Sequence, residues 1–269
     1  DVIFPPACMG AIVAIIGLEL APVAAGMAGL TGDKINFSNV AVSMFTLGVT
    51  VIGSVVFRGF LSIIPVLVGV ISGYIFAFAM GMVDLTPVYN APWFQIPQFY
   101  QPEFSLDAIM IIAPATLVVL AEHIGHLVVT GNIVERNLIE KPGLSRSLFA
   151  DGLANVLSGF FGATPNTTYG ENIGVMAITK VYSVWVIGGA AVMAIGLSFI
   201  GKLAELIRSI PVPVMGGVCC LLFGVIAVSG IRILVDGRVD FSKSSNMVLS
   251  GVIFTIGVSG AKLTIGTMS

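Results

Sequence analysis

Glu122 and His126 stand four residues apart in a mostly apolar stretch, Leu106 to Gly131. On a helix that spacing stacks the two groups on one face, close enough to share a hydrogen bond or exchange a proton. A carboxylate and an imidazole so placed can bind and release a proton, and the carboxylate can also accept N–H groups from a ligand. A second carboxylate, Glu171, sits with the amides Asn166 and Asn172 and the glycines Gly170 and Gly174 in a segment that is otherwise apolar beyond Gly174. An ionisable group within membrane-like sequence marks a functional site by default. Together the two spots predict a polar site between helices.

Each of these residues also has a plainer reading. The plainer reading of Glu122 and His126 is a satisfied pair inside a helix bundle, which the cost of ionisable groups in a membrane disfavours, and a Glu in the first turn of a helix is favoured by the dipole alone. His123, roughly 100° further round the helix, reads as a packing residue. Glu122, His123 and His126 look like a metal-ligand cluster, but the histidines are three apart. The order is therefore not the His-Glu-x-x-His of zinc hydrolases. With no further cluster in sequence to complete a shell, no metal is expected, and no cofactor other than a proton as coupling ion. An intramembrane metal-dependent enzyme is the remote alternative. Glu19 reads evenly as a packing or a gating carboxylate, and the match of Asn166-Thr-Thr168 to a glycosylation sequon is set aside because it falls within the predicted membrane region.

The elements that must position these groups follow from composition. Of the 269 residues, 57% are hydrophobic and 10% charged, with a mean hydropathy of +1.04. That is too apolar for a soluble domain and predicts an all-α polytopic membrane protein, because helices satisfy their own backbone in lipid. A net charge of −2 leaves no basic face for nucleic acid. Cys8, Cys219 and Cys220 form neither a disulfide framework nor a metal spacing and read as packing residues.

Breaks at Gly, Pro and charge clusters divide the chain into apolar segments of about 20 residues, the length a bilayer core requires. They run approximately Pro6 to Leu30, Val40 to Phe57, Phe60 to Val83, Leu106 to Gly131, Ser147 to Phe161, Glu171 to Tyr182, Ser183 to Ile200, Val212 to Ser229 and Met247 to Ala261. A loop rich in Pro and aromatics between Asp84 and Glu103 is a natural seam, expected at a membrane surface. Lys202, Glu205 and Arg208, followed by Pro211 and Pro213, mark a second. Alternating segments would put eight of the twelve cations (Arg58, Arg136, Lys141, Arg146, Lys180, Arg232, Arg238 and Lys243) on one side. The positive-inside rule makes that side, with Asp1, cytoplasmic.

The sixth segment is too short to span. Ala163 to Tyr169 carries β-branched and breaker residues where a helix would be expected, so extended backbone is predicted there, followed by a half-helix from Glu171. Such backbone is tolerated only where protein covers it or it lines a cavity. A half-helix starting near the midplane points its free N–H groups into that cavity, where they suit a carbonyl oxygen or an anion. Gly170 and Glu171 would offer those donors.

Glu171-Asn172-Ile173-Gly174-Val-Met-Ala-Ile-Thr179-Lys180 resembles the signature of the nucleobase-ascorbate transporter family, the nucleobase cation symporters. Ala121-Glu-His-Ile-Gly-His126 is similar to the other binding helix of the family's uracil-transporting branch. Agreement at Phe4-Pro-Pro, Arg58-Gly-Phe, Trp185-Val-Ile-Gly-Gly189 and Pro213-Val-Met-Gly-Gly217 extends the resemblance over nearly the whole chain, although Phe223 stands where a tyrosine is expected. The resemblance implies fourteen segments in two inverted repeats of seven, split between a core and a gate domain. The present chain would supply segments five to thirteen of these, with one short strand and a half-helix in the core. Residues 1–101 and 201–269 would be gate and 102–200 core, with segments one to four and fourteen outside this chain.

By the same resemblance Glu122 and Glu171 accept base N–H groups, Gly170 and Glu171 donate backbone N–H groups to a base carbonyl, and Tyr169 lies against the substrate. His126 is the proton-linked partner of Glu122, and Asn172 and Thr179 support the site. The implied activity is uracil:proton symport by alternating access in the bacterial inner membrane, not catalysis. Xanthine, uric acid or ascorbate transport on the same fold is the alternative. Glycines such as Gly10, Gly17, Gly69 and Gly73 permit close helix contact and leave room for a homodimer through the gate face.

Overall fold

Proline and glycine punctuate the apolar sequence into twelve α-helices among the described residues of a computed structural model. The model covers residues 5–32 and 36–260, and only the backbone of residues 111, 114, 115, 117, 118, 121, 170, 171, 174 and 178. In chain order the helices are α1 (Pro6–Glu19), α2 (Ala21–Met27), α3 (Phe37–Val56), α4 (Pro65–Ala79), α5 (Thr86–Asn90), α6 (Leu106–Ile133), α7 (Leu144–Phe160), α8 (Gly170–Thr179), α9 (Val184–Ser198), α10 (Gly201–Arg208), α11 (Val212–Asp236) and α12 (Ser244–Val258). The architecture is mostly helical, as composition predicts. Among the described residues three stretches, Pro6–Met27, Phe37–Val56 and Val212–Asp236, are long and apolar enough to cross a bilayer.

Local chemistry explains where the observed elements depart from the expected ones. The segment expected over Pro6 to Leu30 is two helices joined at Leu20, because the ring of Pro22 crowds the carbonyl four residues back and offers no N–H. The segment expected over Phe60 to Val83 divides into a 3₁₀ turn, Gly59–Ile63, and α4. Ile64 precedes Pro65, whose ring disfavours helical backbone at the residue before it, and sits outside the helical region at φ −123°, ψ 36°. The helix expected to stop at Ser229 continues to Asp236. Residues 163–169 were expected to form a short strand, but no strand is assigned there. Among the described residues the segment has no partner strand, and at Asn166 its backbone bonds to a side chain of α7.

The chain forms two compact units, one of residues up to Ala91 and from Lys202 onward, the other of Pro92–Gly201. In the first, α1 packs along α11 and α12, and α3 packs against α4 and α11. Small residues make this possible. On α3 the hydroxyls of Ser43, Thr46, Thr50 and Ser54 donate to carbonyls one turn earlier, at 2.6 to 2.8 Å. These hydroxyls therefore need no other partner, and Thr46 and Thr50 are fully buried against Gly73 and Gly69 of α4. The apolar core beside them centres on Val42, Ala77 and Val214. Gly17 lies on the backbone of Phe223 and Ala227, Gly230 on that of Ala14, and Gly10 against Leu234. The four glycines considered for a homodimer are thus filled by contacts inside this unit, and they no longer speak for one.

In the second unit the aromatic loop is anchored on the end of α9. The Gln95 N–H donates to the Phe199 carbonyl at 2.9 Å and the Gly201 N–H to the Trp93 carbonyl at 3.2 Å. Between them Phe94 stacks on Phe199 with ring centroids 5.8 Å apart. At the end of α7, Gly162 has φ +78° and lies against the Tyr100 backbone, so both its conformation and its space exclude a side chain. Outside the helices, Asp84 and Asp240 accept hydrogen bonds from Thr86 and Ser242, which hold both carboxyls below their usual value.

Gly230 and Gly224 lie on the same helix but differ in what a methyl group would meet: Ala14 and Gly10 at the first, nothing within 4 Å at the second. Gly230→Ala is expected to cost about 1 to 3 kcal/mol. Gly224→Ala should be neutral. Thermal unfolding of the two variants in detergent distinguishes them; equal melting temperatures would refute this packing.

Candidate functional site

Helix α6 is the long element of the second unit, 28 residues or about 42 Å. Its first turn is capped by Ser105, whose hydroxyl accepts from the Ala108 N–H at 3.3 Å, and it runs through Pro114 without a break. The apolar residues that give this helix its length also place three polar groups, Glu122, His123 and His126, in its second half. All three are removed from full exposure: His123 is buried and the other two are half-buried.

Helices α7 and α8 pack on α6 and bring partners to it. The Nε2 atom of His123 lies 2.7 Å from the Ser147 hydroxyl of α7, and the Nδ1 atom of His126 lies 2.7 Å from the Thr168 hydroxyl just before α8. Sequence spacing pairs His126 with Glu122; the structure adds Thr168. His123, read from sequence as a packing residue, is buried and hydrogen-bonded at the same wall. Its partner is 24 residues away on another helix, so no spacing rule could reveal it. The His123 Nδ1 and Thr167 Oγ1 atoms are buried without a hydrogen bond.

The segment before α8 is non-helical and ends at Tyr169, which is extended with φ −103° and ψ 121°. It is held by Asn155 of α7. The Asn155 Oδ1 atom accepts the Asn166 N–H at 2.8 Å, while Nδ2 donates to the Asn166 carbonyl at 3.0 Å and to the Asp151 carbonyl at 3.1 Å. Sequence analysis missed Asn155 because a single Asn in a helix carries no signal of its own.

Helix α8 then begins at Gly170, with Glu171 second, and ends after ten residues at Thr179, where Lys180 takes the left-handed conformation at φ 55°. At about 15 Å it covers half a bilayer core. The half-helix predicted from sequence is therefore present. Tyr169 supplies no capping side chain to its first turn, and those first N–H groups have no partner within the helix. Thr179 closes the other end, donating to the Val175 carbonyl at 2.9 Å and accepting the Val181 N–H at 3.4 Å. The side chain of Glu171, assigned from sequence to ligand binding, lies outside the described residues.

These elements surround a cavity of about 720 Å³, lined by His123, His126, Thr168, Tyr169, Asn172 and Thr179 among mostly apolar neighbours. Its size and its few polar groups on apolar walls are those of a small-molecule site. Among the described residues no group of three His, Cys, Asp or Glu side chains comes together in a way that would hold a metal. The imidazoles instead engage hydroxyls.

Residues 1–266 match the model of the Permease family, the xanthine and uracil permeases. The chain is 63% identical to the uracil permease of Escherichia coli K12 over 99% of its own length, and 57% identical to that of Paenibacillus larvae over 97%. It is 49% identical to the uracil permease of Bacillus caldolyticus over 98%. It spans about 63%, 63% and 62% of those three proteins.

The buried imidazole makes a first test. Ser147→Ala leaves both ring nitrogens of His123 without a partner and is expected to cost about 1 to 3 kcal/mol. In the double variant His123→Leu/Ser147→Ala no unpaired polar group remains, so it should cost less than the sum of the singles. Additive losses in thermal unfolding would mean the pair does not interact.

Proposed function

Because the chain belongs to the nucleobase-ascorbate transporter family, the xanthine and uracil permeases, we propose that the whole protein is a uracil:proton symporter of the bacterial inner membrane. The observation that carries this reading is the cavity at the uncapped N-terminus of α8, walled by the His126 face of α6. Relatives named uracil permeases at up to 63% identity support the choice of base.

Uracil alternates C=O acceptors and N–H donors around its rim. In the proposed site the backbone N–H groups of Gly170 and Glu171 donate to a base carbonyl, since the first turn of a helix combines free donors with the positive end of the dipole. Glu122 and Glu171 accept base N–H groups, and Tyr169 closes over the ring. Asn172 and Thr179 keep α8 in place. A proton carried on Glu122 and His126 accompanies the neutral base. His126, held at Nδ1 by Thr168, then connects the proton site on α6 to the extended segment that presents the base site.

The domain plan follows the same reading. Residues 102–200 form part of a core domain that carries the base, and residues 1–101 and 201–269 part of a gate domain against which it moves. Both belong to a fourteen-segment inverted repeat. Alternating access then exposes the cavity to each side of the membrane in turn.

Labelled uracil uptake by cells expressing the complete protein, at two external pH values and with unlabelled xanthine and ascorbate as competitors, tests the proposal. Uptake should rise in acid and resist both competitors. Glu122→Gln removes a charged acceptor and should lower uptake by about 10- to 100-fold, and His126→Ala should flatten the pH dependence. Wild-type uptake by Glu122→Gln would refute the role of Glu122, and strong competition by xanthine would move the substrate to the purines.

A further inference from the structure

A hydroxyl is both donor and acceptor, so it can bond an imidazole nitrogen whether or not that nitrogen carries a proton, but the bond must reverse direction when the proton arrives. The Nδ1 atom of His126 has such a partner in the Thr168 hydroxyl, at 2.7 Å. We propose that Nδ1 is the nitrogen of His126 that takes up the proton, that it does so through the Thr168 hydroxyl, and that the reversed hydroxyl then offers its O–H to the base. Thr168 is thereby the residue that links proton binding to base binding. The proposal rests on the reading of the cavity as the base site and of His126 as a proton carrier.

The position of Thr168 carries the argument. Its hydroxyl meets the imidazole of α6, the residue lines the cavity, and it stands two residues before Gly170, where α8 begins. Both Thr168 and His126 are half-buried. Because the hydroxyl already occupies Nδ1, a proton bound for that nitrogen passes by way of Thr168. The same hydroxyl belongs to the segment that leads into the first turn of α8, whose N–H groups are the donors proposed for a base carbonyl.

Before proton uptake the Thr168 O–H donates to the lone pair of Nδ1, and the ring proton is on Nε2. A hydronium ion in the cavity gives a proton to the Thr168 oxygen as the proton already there passes to Nδ1. The hydronium ion becomes water, the ring becomes imidazolium, and the hydroxyl is again neutral. Its oxygen now accepts from Nδ1–H, and its own O–H points to the cavity. A base carbonyl supplies the acceptor for it. Bound base therefore has one more hydrogen bond when the proton is aboard, and by reciprocity the base strengthens proton binding. One such bond corresponds to about 2- to 10-fold in affinity.

Other titratable and charged groups stand around His126. They are Glu122 and His123 on α6, Asp151 on the face of α7 that carries Ser147 and Asn155, and Tyr169, Glu171 and Lys180 at the two ends of α8. An acid effect carried by these alone survives loss of the Thr168 hydroxyl. The test therefore removes that hydroxyl, in the complete protein, purified, with three readouts: the dissociation constant for uracil at acidic and at neutral pH, the ¹⁵N resonances of the His126 ring, and thermal unfolding to verify that the variants are folded.

The wild-type protein should bind uracil more tightly in acid. Thr168→Val is isosteric but has no hydroxyl and should lose about 2- to 10-fold of that gain, whereas Thr168→Ser should keep it. In the neutral ring Nδ1 should show the resonance of an unprotonated nitrogen and Nε2 that of an N–H, and acid should protonate Nδ1. A full acid gain in Thr168→Val, or a neutral ring already protonated at Nδ1, would overturn the proposal. The ring measurement needs only the wild-type protein, so it decides even where Thr168→Val folds poorly. If the wild-type protein binds no uracil, the substrate reading fails separately, and the ring resonances still decide which nitrogen takes the proton.

Discussion

The second unit depends on one constraint: the polar backbone of residues 163–169 has to be satisfied where helical hydrogen bonding has been given up. The contacts this segment makes answer to it. Asn155 pairs with Asn166, Thr168 reaches His126, and the chain re-enters helix at Gly170 with its first turn uncapped. Interrupting the helix makes donors available at depth, which an unbroken span never does. The same interruption is anchored on α6 and α7, and so ties this segment to the helix that carries Glu122 and His126.

The first unit solves a different problem. Helices in lipid gain little from burying apolar surface against one another, so close approach and van der Waals packing must hold them. Gly69 and Gly73 admit Thr50 and Thr46, whose hydroxyls are already satisfied one turn back, and Gly17 and Gly230 bring α1 and α11 to backbone contact. The result is a unit whose helices meet through backbone and small side chains. That contrasts with the polar, cavity-bearing second unit and fits the proposed division into a gate and a core.

Much of the fold was legible in the sequence because apolar segment length and Gly/Pro punctuation are local properties. The segments expected over Val40 to Phe57, Ser183 to Ile200 and Met247 to Ala261 match α3, α9 and α12 within a few residues. The short half-helix was legible too, since Thr167, Thr168 and Tyr169 before Gly170 contradict a helix entering from upstream. Less visible were the joint at Leu20 and the split at Ile64, where a proline acts on the residues preceding it within an otherwise continuous apolar run. The pairing of residues 163–169 was not legible, because pairing is a property of two segments; among the described residues these form no strand, and Asn166 bonds to the Asn155 side chain.

By itself the sequence determined that this is a helical membrane protein, which segment breaks into a half-helix, and that Glu122, His126 and Glu171 are the ionisable groups that membrane-like sequence must account for. These follow from composition, spacing and the cost of charge in lipid, all readable along the chain. Only the tertiary structure decided that His126 meets Thr168, that His123 meets Ser147, that Asn155 meets Asn166, and that the intervening space is a cavity. Those contacts join residues 11 to 42 positions apart on separate elements, and their existence depends on how helices pack, which no local pattern encodes.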